Sequence, residues 1–120
     1  MINLEEIRMY CLQKKGVTED FPFDEETLVF KVMGKLFLLT NINDVEISVN
    51  LKCNPELAIE LREQYESVQP GYHMNKKMWN TVKYTNEFSE RAFLDMIDHS
   101  YNEVVKGMTK KMQLELSNLS

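Results

Sequence analysis

Hydrophobic positions recur along this 120-residue chain with two different periods, and the switches between them mark out its elements. Leu4, Ile7 and Cys11 fall on one helical face. Asn3 with Glu6 three residues on forms a capping-box pattern, and Lys14-Lys15-Gly16 supplies a basic last turn and a stop, so the spacing predicts a helix over 4–15. Phe21-Pro22-Phe23 reads as an ordered connection or edge segment, because Pro22 has no N–H to give to a sheet ladder. From Thr27 the texture becomes β-rich. Residues 27–33 and 36–40 read as two strands of a tight hairpin joined at Gly34-Lys35, and Asn41 to Asp44 as a turn. Over 45–52 the alternation is unbroken: Val45, Ile47, Val49 and Leu51 point one way, Glu46, Ser48, Asn50 and Lys52 the other, which predicts one buried and one wet sheet face.

Asn54-Pro55-Glu56 combines a cap, a proline at the first helical position and an acid at the positive end of the dipole. The helix it opens, over 55–66, is expected to bury Leu57, Leu61 and Tyr65. Gln69-Pro70-Gly71 breaks the chain, and 79–84 reads as one more strand. Ser89 caps a long helix whose stripe of Phe93, Met96, Ile97, Ser100, Tyr101, Val104 and Val105 keeps the 3.6-residue period to Gly107, and a short basic helix follows from Thr109 to about Leu116. The pattern predicts an α+β fold, an antiparallel sheet packed on one face by N-terminal and C-terminal helices. With no repeat, low-complexity tract or linker, residues 1–120 read as a single domain.

At 43% hydrophobic and 28% charged residues the composition is that of an ordinary globular domain, able to fold without disulfides or metal. Cys11 and Cys53 match no metal-ligand spacing and are expected to be buried free thiols. Glu5, Glu6 and Arg8 stand where a signal peptide needs apolar residues, and no run is long enough to span a bilayer, so a cytoplasmic monomer with no membrane association is expected. The net charge is -5, unevenly placed: residues 1–66 hold 13 acids and 7 bases, residues 67–120 hold 6 acids and 7 bases. An anionic partner should meet the second half.

No acid occurs between Glu66 and Glu87. That gap contains Tyr72, His73, Asn75, Lys76, Lys77, Trp79, Asn80, Thr81, Lys83 and Tyr84, and lysines for phosphates, amides for base edges and aromatic faces for stacking suit nucleic acid. The bland alternative is a solvated turn beside a packed Trp79. Lys106, Lys110 and Lys111 would extend the basic surface if the last helix folds back beside this segment. Catalysis has little to work with, since the only histidines are His73 and His99 and neither cysteine sits in a plausible pair with them. The acids Glu19, Asp20, Asp24, Glu25 and Glu26 lack calcium-loop spacing, and four glycines make no phosphate loop. Neither a cofactor nor a metal is implied.

The stretch Gly71-Tyr72-His73-Met74-Asn75-Lys76-Lys77-Met78-Trp79-Asn80-Thr81-Val82 resembles the MmcQ/YjbR family of small bacterial proteins, as do Val17 to Phe23, Thr27 to Val32, Asn50 to Cys53 and Asp98-His99-Ser100-Tyr101, in the same order. The resemblance covers about residues 1–116. It implies a CyaY-like, frataxin-like α+β fold of double-wing type and DNA binding without enzymatic activity. The chain departs from the family pattern at Met78, where a histidine is expected, and at Thr109, where a proline commonly opens the last helix. The resulting expectation is a non-enzymatic DNA-binding protein, with Lys76, Lys77 and Lys83 on phosphates and His73, Asn75, Trp79 and Asn80 as positioning groups. The alternatives are a protein- or peptide-interaction module using the same surface or the wet sheet face, and frataxin-like metal binding at the acidic loop.

Overall fold

The computed structural model describes residues 2–71 and 74–119. In chain order the elements are α1 (Leu4–Leu12), β1 (Val17–Asp20), β2 (Thr27–Val32), β3 (Lys35–Asn41), β4 (Ser48–Lys52), α2 (Pro55–Gln64), β5 (Val68–Pro70), β6 (Trp79–Lys83), α3 (Glu90–Lys106) and α4 (Lys110–Ser117). The strands form one antiparallel sheet in the order β1-β2-β3-β4-β6-β5. One face is covered: α1 lies against β1, α3 against β2, β3 and β4, and α2 against β5. The α+β architecture expected from the periodicity is therefore present.

The helix starts follow their capping signals. Asn3 and Glu6 form a full capping box, Asn54 accepts from the N–H groups of Glu56 and Leu57, and Ser89 and Thr109 accept from Ala92 and Met112. The strands depart from the sequence reading in three places. The hairpin turn is Met33-Gly34, not Gly34-Lys35; both residues have positive φ, 50° and 80°, the mirror-image turn whose twist matches that of its strands. Val45 is fully exposed and Glu46 precedes the strand, so the alternation over 45–52 describes a ladder only from Ser48 onward. The short edge strands β1 and β5 were not expected; Val17–Asp20 and Val68–Pro70 have no apolar alternation of their own and are ordered by β2 and β6.

Phe30, Phe37, Leu38, Val49, Val82, Phe93 and Ile97 are buried between sheet and helices. Cys11 and Cys53 are buried free thiols, and burial pushes them up to about 12 and about 11. The opposite sheet face is not simply wet: Val29, Leu39 and Trp79 form a second apolar cluster there, with Leu36 and Met74 against it.

The stretch Asp98 to Tyr101 on α3 fastens the layers. Asp98 accepts from Tyr10 Oη of α1 at 2.7 Å and from Lys14 Nζ at 2.5 Å. Burial raises its carboxyl, but hydrogen bonds from Lys14 and Tyr10 and the charges of Lys14 and Arg91 outweigh that and hold it below its ordinary value. His99 Nε2 accepts from the Asn54 N–H at 3.1 Å, ahead of α2, and Tyr101 Oη donates to the Lys15 carbonyl at 2.7 Å. Ser100 repairs the sheet. Phe37 is the extra residue at the register shift opposite Phe30/Lys31, and its carbonyl accepts from Ser100 Oγ, which in turn accepts from the Lys52 N–H at 2.8 Å. One hydroxyl thus satisfies two backbone groups that the bulge left without a rung.

Candidate nucleic-acid interface

Segment 74–83 is built around the approach of β5 to β6. The Gly71 N–H donates to the Trp79 carbonyl at 2.7 Å, and a Cβ at Gly71 would lie 2.7 Å from Trp79 Cβ and 2.8 Å from its carbonyl oxygen, so only glycine fits. Between them Asn75 makes an Asx turn, its Oδ1 accepting from the Lys77 N–H at 2.9 Å and its carbonyl from the Met78 N–H at 3.2 Å. The turn presents Lys76 and Lys77 to solvent, and among the described residues neither has an ion-pair partner.

Other described members of the expected set are engaged within the protein. Asn80 is 1% exposed; its Oδ1 accepts from Arg62 Nε at 2.7 Å, and its amide nitrogen reaches the Ala58 carbonyl at 3.5 Å. Trp79 packs in the open-face cluster, and the amide oxygen of Asn75 is spent on its own turn. Lys83 pairs with Glu46 at 3.1 Å. His73 lies outside the described residues. Sequence reasoning missed Arg62, the one base in a helix with Glu56, Glu60 and Glu63, whose guanidinium reaches the carbonyls of Lys76 and Trp79 and holds the loop from below. Nothing in its local spacing announces that role, since its partners lie 14 to 18 residues away.

The antiparallel topology sorts the charges. At one end of the sheet lie the connections 21–26, 42–47, 65–67 and 84–89, which carry Asp24, Glu25, Glu26, Asp44, Glu46, Glu66 and Glu87 and no lysine or arginine. At the other lie 13–16, 33–34, 53–54, 74–78 and 107–109 followed by α4, which carry Lys14, Lys15, Lys76, Lys77, Lys110 and Lys111 against one acid, Glu115. Lys35 begins β3 at this same pole, and Lys52 and Lys106 end β4 and α3 there; Glu56 and Glu103 are nearby acids, and Asp98 pairs with Lys14. Lys76 and Lys77 thus share an end of the molecule with Lys106, Lys110 and Lys111, whereas Lys83 stands at the acidic end. Because α4 sits by Gly16, where Leu116 Cδ1 would be 2.7 Å from an added Cβ, the lysines spread along the edge between β1 and β6, roughly 19 Å at ordinary strand spacing.

Three of the five clustered acids are engaged within the protein. Asp24 accepts from the N–H groups of Glu26 and Thr27, bonds that lower its carboxyl, while Glu19 binds Arg8 and Asp20 pairs with Lys31. Among the described residues no three histidine, cysteine, aspartate or glutamate side chains group to hold a metal. No described helix is long and apolar enough to cross a membrane. The open face forms a concavity of about 620 Å³, lined in part by Phe23, Leu39, Asn50, Met74 and Thr81.

The YjbR family model matches residues 12–103. YbdF of Escherichia coli O157:H7 is 41% identical over 109 residues, 91% of this chain and 89% of that protein. YjbR of Escherichia coli K12 is 31% identical over 118 residues, 98% of this chain and 100% of that protein. The crystal structure of Deinococcus radiodurans protein DR2400 superposes with a TM-score of 0.90 at 37% identity, over 98% of this chain and 89% of that one.

Proposed function

The chain belongs to the YjbR family, and on that premise we propose that it is a non-enzymatic DNA-binding protein whose contact surface is the lysine-bearing end of the sheet. The segregation of the connections carries this reading: an acidic protein keeps one pole whose exposed Lys76, Lys77, Lys106, Lys110 and Lys111 have no ion-pair partner among the described residues. Cations on a pole interact with a polyanion while the seven acids of the opposite connections stay on the far side, which orients the encounter. Lys83 is reassigned away from phosphate contact because Glu46 neutralises it. The raised thiols and the pinning of His99 by the Asn54 N–H support a binding role over a nucleophilic one.

If each of the five lysines neutralises one phosphate, the slope of log affinity against log salt is about -4.5, a loss of a few hundredfold between about 50 and 200 mM salt. Fluorescence anisotropy with a labelled duplex measures it. Lys76→Glu with Lys77→Glu should weaken binding and flatten the slope by about 2; unchanged affinity and slope would overturn the assignment.

A second reading, a peptide or protein partner on the open sheet face, is favoured by the half-apolar concavity there and by Phe23, 67% exposed on its wall. For that reading Phe23→Ala, not lysine reversal, should abolish capture of a partner that survives nuclease treatment.

A further inference from the structure

The covered face of the sheet contains a gap. α2 packs on β5 and α3 on β2, β3 and β4, so the two helices straddle β6. Leu57, Leu61 and Tyr65, expected to be buried by α2, are only half-buried, and so are Ala92, Met96 and His99 on the facing side of α3. These six side chains wall a cleft of about 210 Å³ whose floor is Leu51, Cys53, Asn80 and Val82. Close-packed interiors rarely leave such a space, and an apolar cavity of about 150 Å³ is known to admit a benzene-sized molecule.

We propose that this cleft is a binding site for an uncharged, apolar small molecule of about one fused ring system. Its lining is overwhelmingly hydrocarbon, and its polar groups already have partners: Asn80 is held by Arg62 and the Ala58 carbonyl, His99 Nε2 by the Asn54 N–H, and Tyr65 Oη by Gln64. The described residues contain no buried side-chain polar atom without a hydrogen bond, so nothing inside calls for water or an ionic group. The charged members, Asp95 and Lys52, stand at the borders, with Asp95 engaged by Arg91. Walls on both sides and a strand floor limit the occupant to a small molecule. The cleft borders the lysine pole at Lys52 and Cys53, but its apolar lining does not depend on the DNA reading.

Indole is a suitable probe. In methyl-detected NMR of the whole chain, indole should produce saturable shifts confined to the methyl groups of Leu51, Leu57, Leu61, Val82, Ala92 and Met96. Ala92→Met, which fills the cleft from the α3 side, should weaken its binding at least tenfold while the remaining methyl spectrum stays native. Leu57→Phe fills the same space from α2 and serves if the first variant does not fold. No saturable shift up to the solubility limit of indole, or binding that survives filling in a folded variant, overturns the proposal.

Discussion

Asp98-His99-Ser100-Tyr101 on α3 and Asn75-Lys76-Lys77 between β5 and β6 are both polar stretches, yet the structure uses them oppositely. Each side chain of the first stretch is turned inward to a different element, to α1, the start of α2, the β3 bulge and the α1–β1 turn. In the second, the asparagine shapes a turn that leaves both lysine side chains exposed and, among the described residues, without an ion-pair partner. Clusters of polar residues are therefore not all functional in the same sense. A buried hydroxyl serves an internal hydrogen bond, whereas an exposed ammonium is left for a ligand, and the two are told apart by where the partners are.

That contrast can be broken by mutation. The largest effect is expected at Ser100→Ala, which strands the Phe37 carbonyl and the Lys52 N–H inside the core; urea unfolding should show a loss of about 2–4 kcal/mol, and a change under about 0.5 kcal/mol would refute the bridging role. Gly71→Ala comes next, because its Cβ overlaps Trp79; about 2 kcal/mol should be lost, with amide exchange accelerated first in β5 and β6.

A smaller, pH-gated effect comes from the thiols. Cys11 and Cys53 are raised from an ordinary value near 9 to about 12 and about 11, so their contribution to stability is intact below about 9 and is lost as pH rises through the folded values. Alkaline destabilisation of the parent between about pH 9 and 11 should therefore exceed that of Cys11→Ala, measured by thermal unfolding at matched pH. Smallest of all is Lys83→Ala: an exposed ion pair contributes well under about 1 kcal/mol, and neither the melting curve nor the salt slope of DNA binding should move. A flattened slope would return Lys83 to the interface.

Local chemistry determined much of this protein. Helix starts at Asn3, Asn54, Ser89 and Thr109 were legible because a cap acts on the next few N–H groups, and the strands β2, β3, β4 and β6 because their side chains meet a packed layer. The acid-free segment and its exposed lysines were also visible, since charge is written in composition. Only the tertiary structure decided that Asn80 is a buried strut for Arg62, that Lys83 belongs to the acidic end, that β1 and β5 are strands at all, and that α2 and α3 leave a cleft over β6. Each of these depends on partners brought from far along the chain. Sequence spacing reports the side chains that follow one another on a helix or strand, whereas burial and pairing are set by the antiparallel topology that carries distant connections to the same end of the sheet.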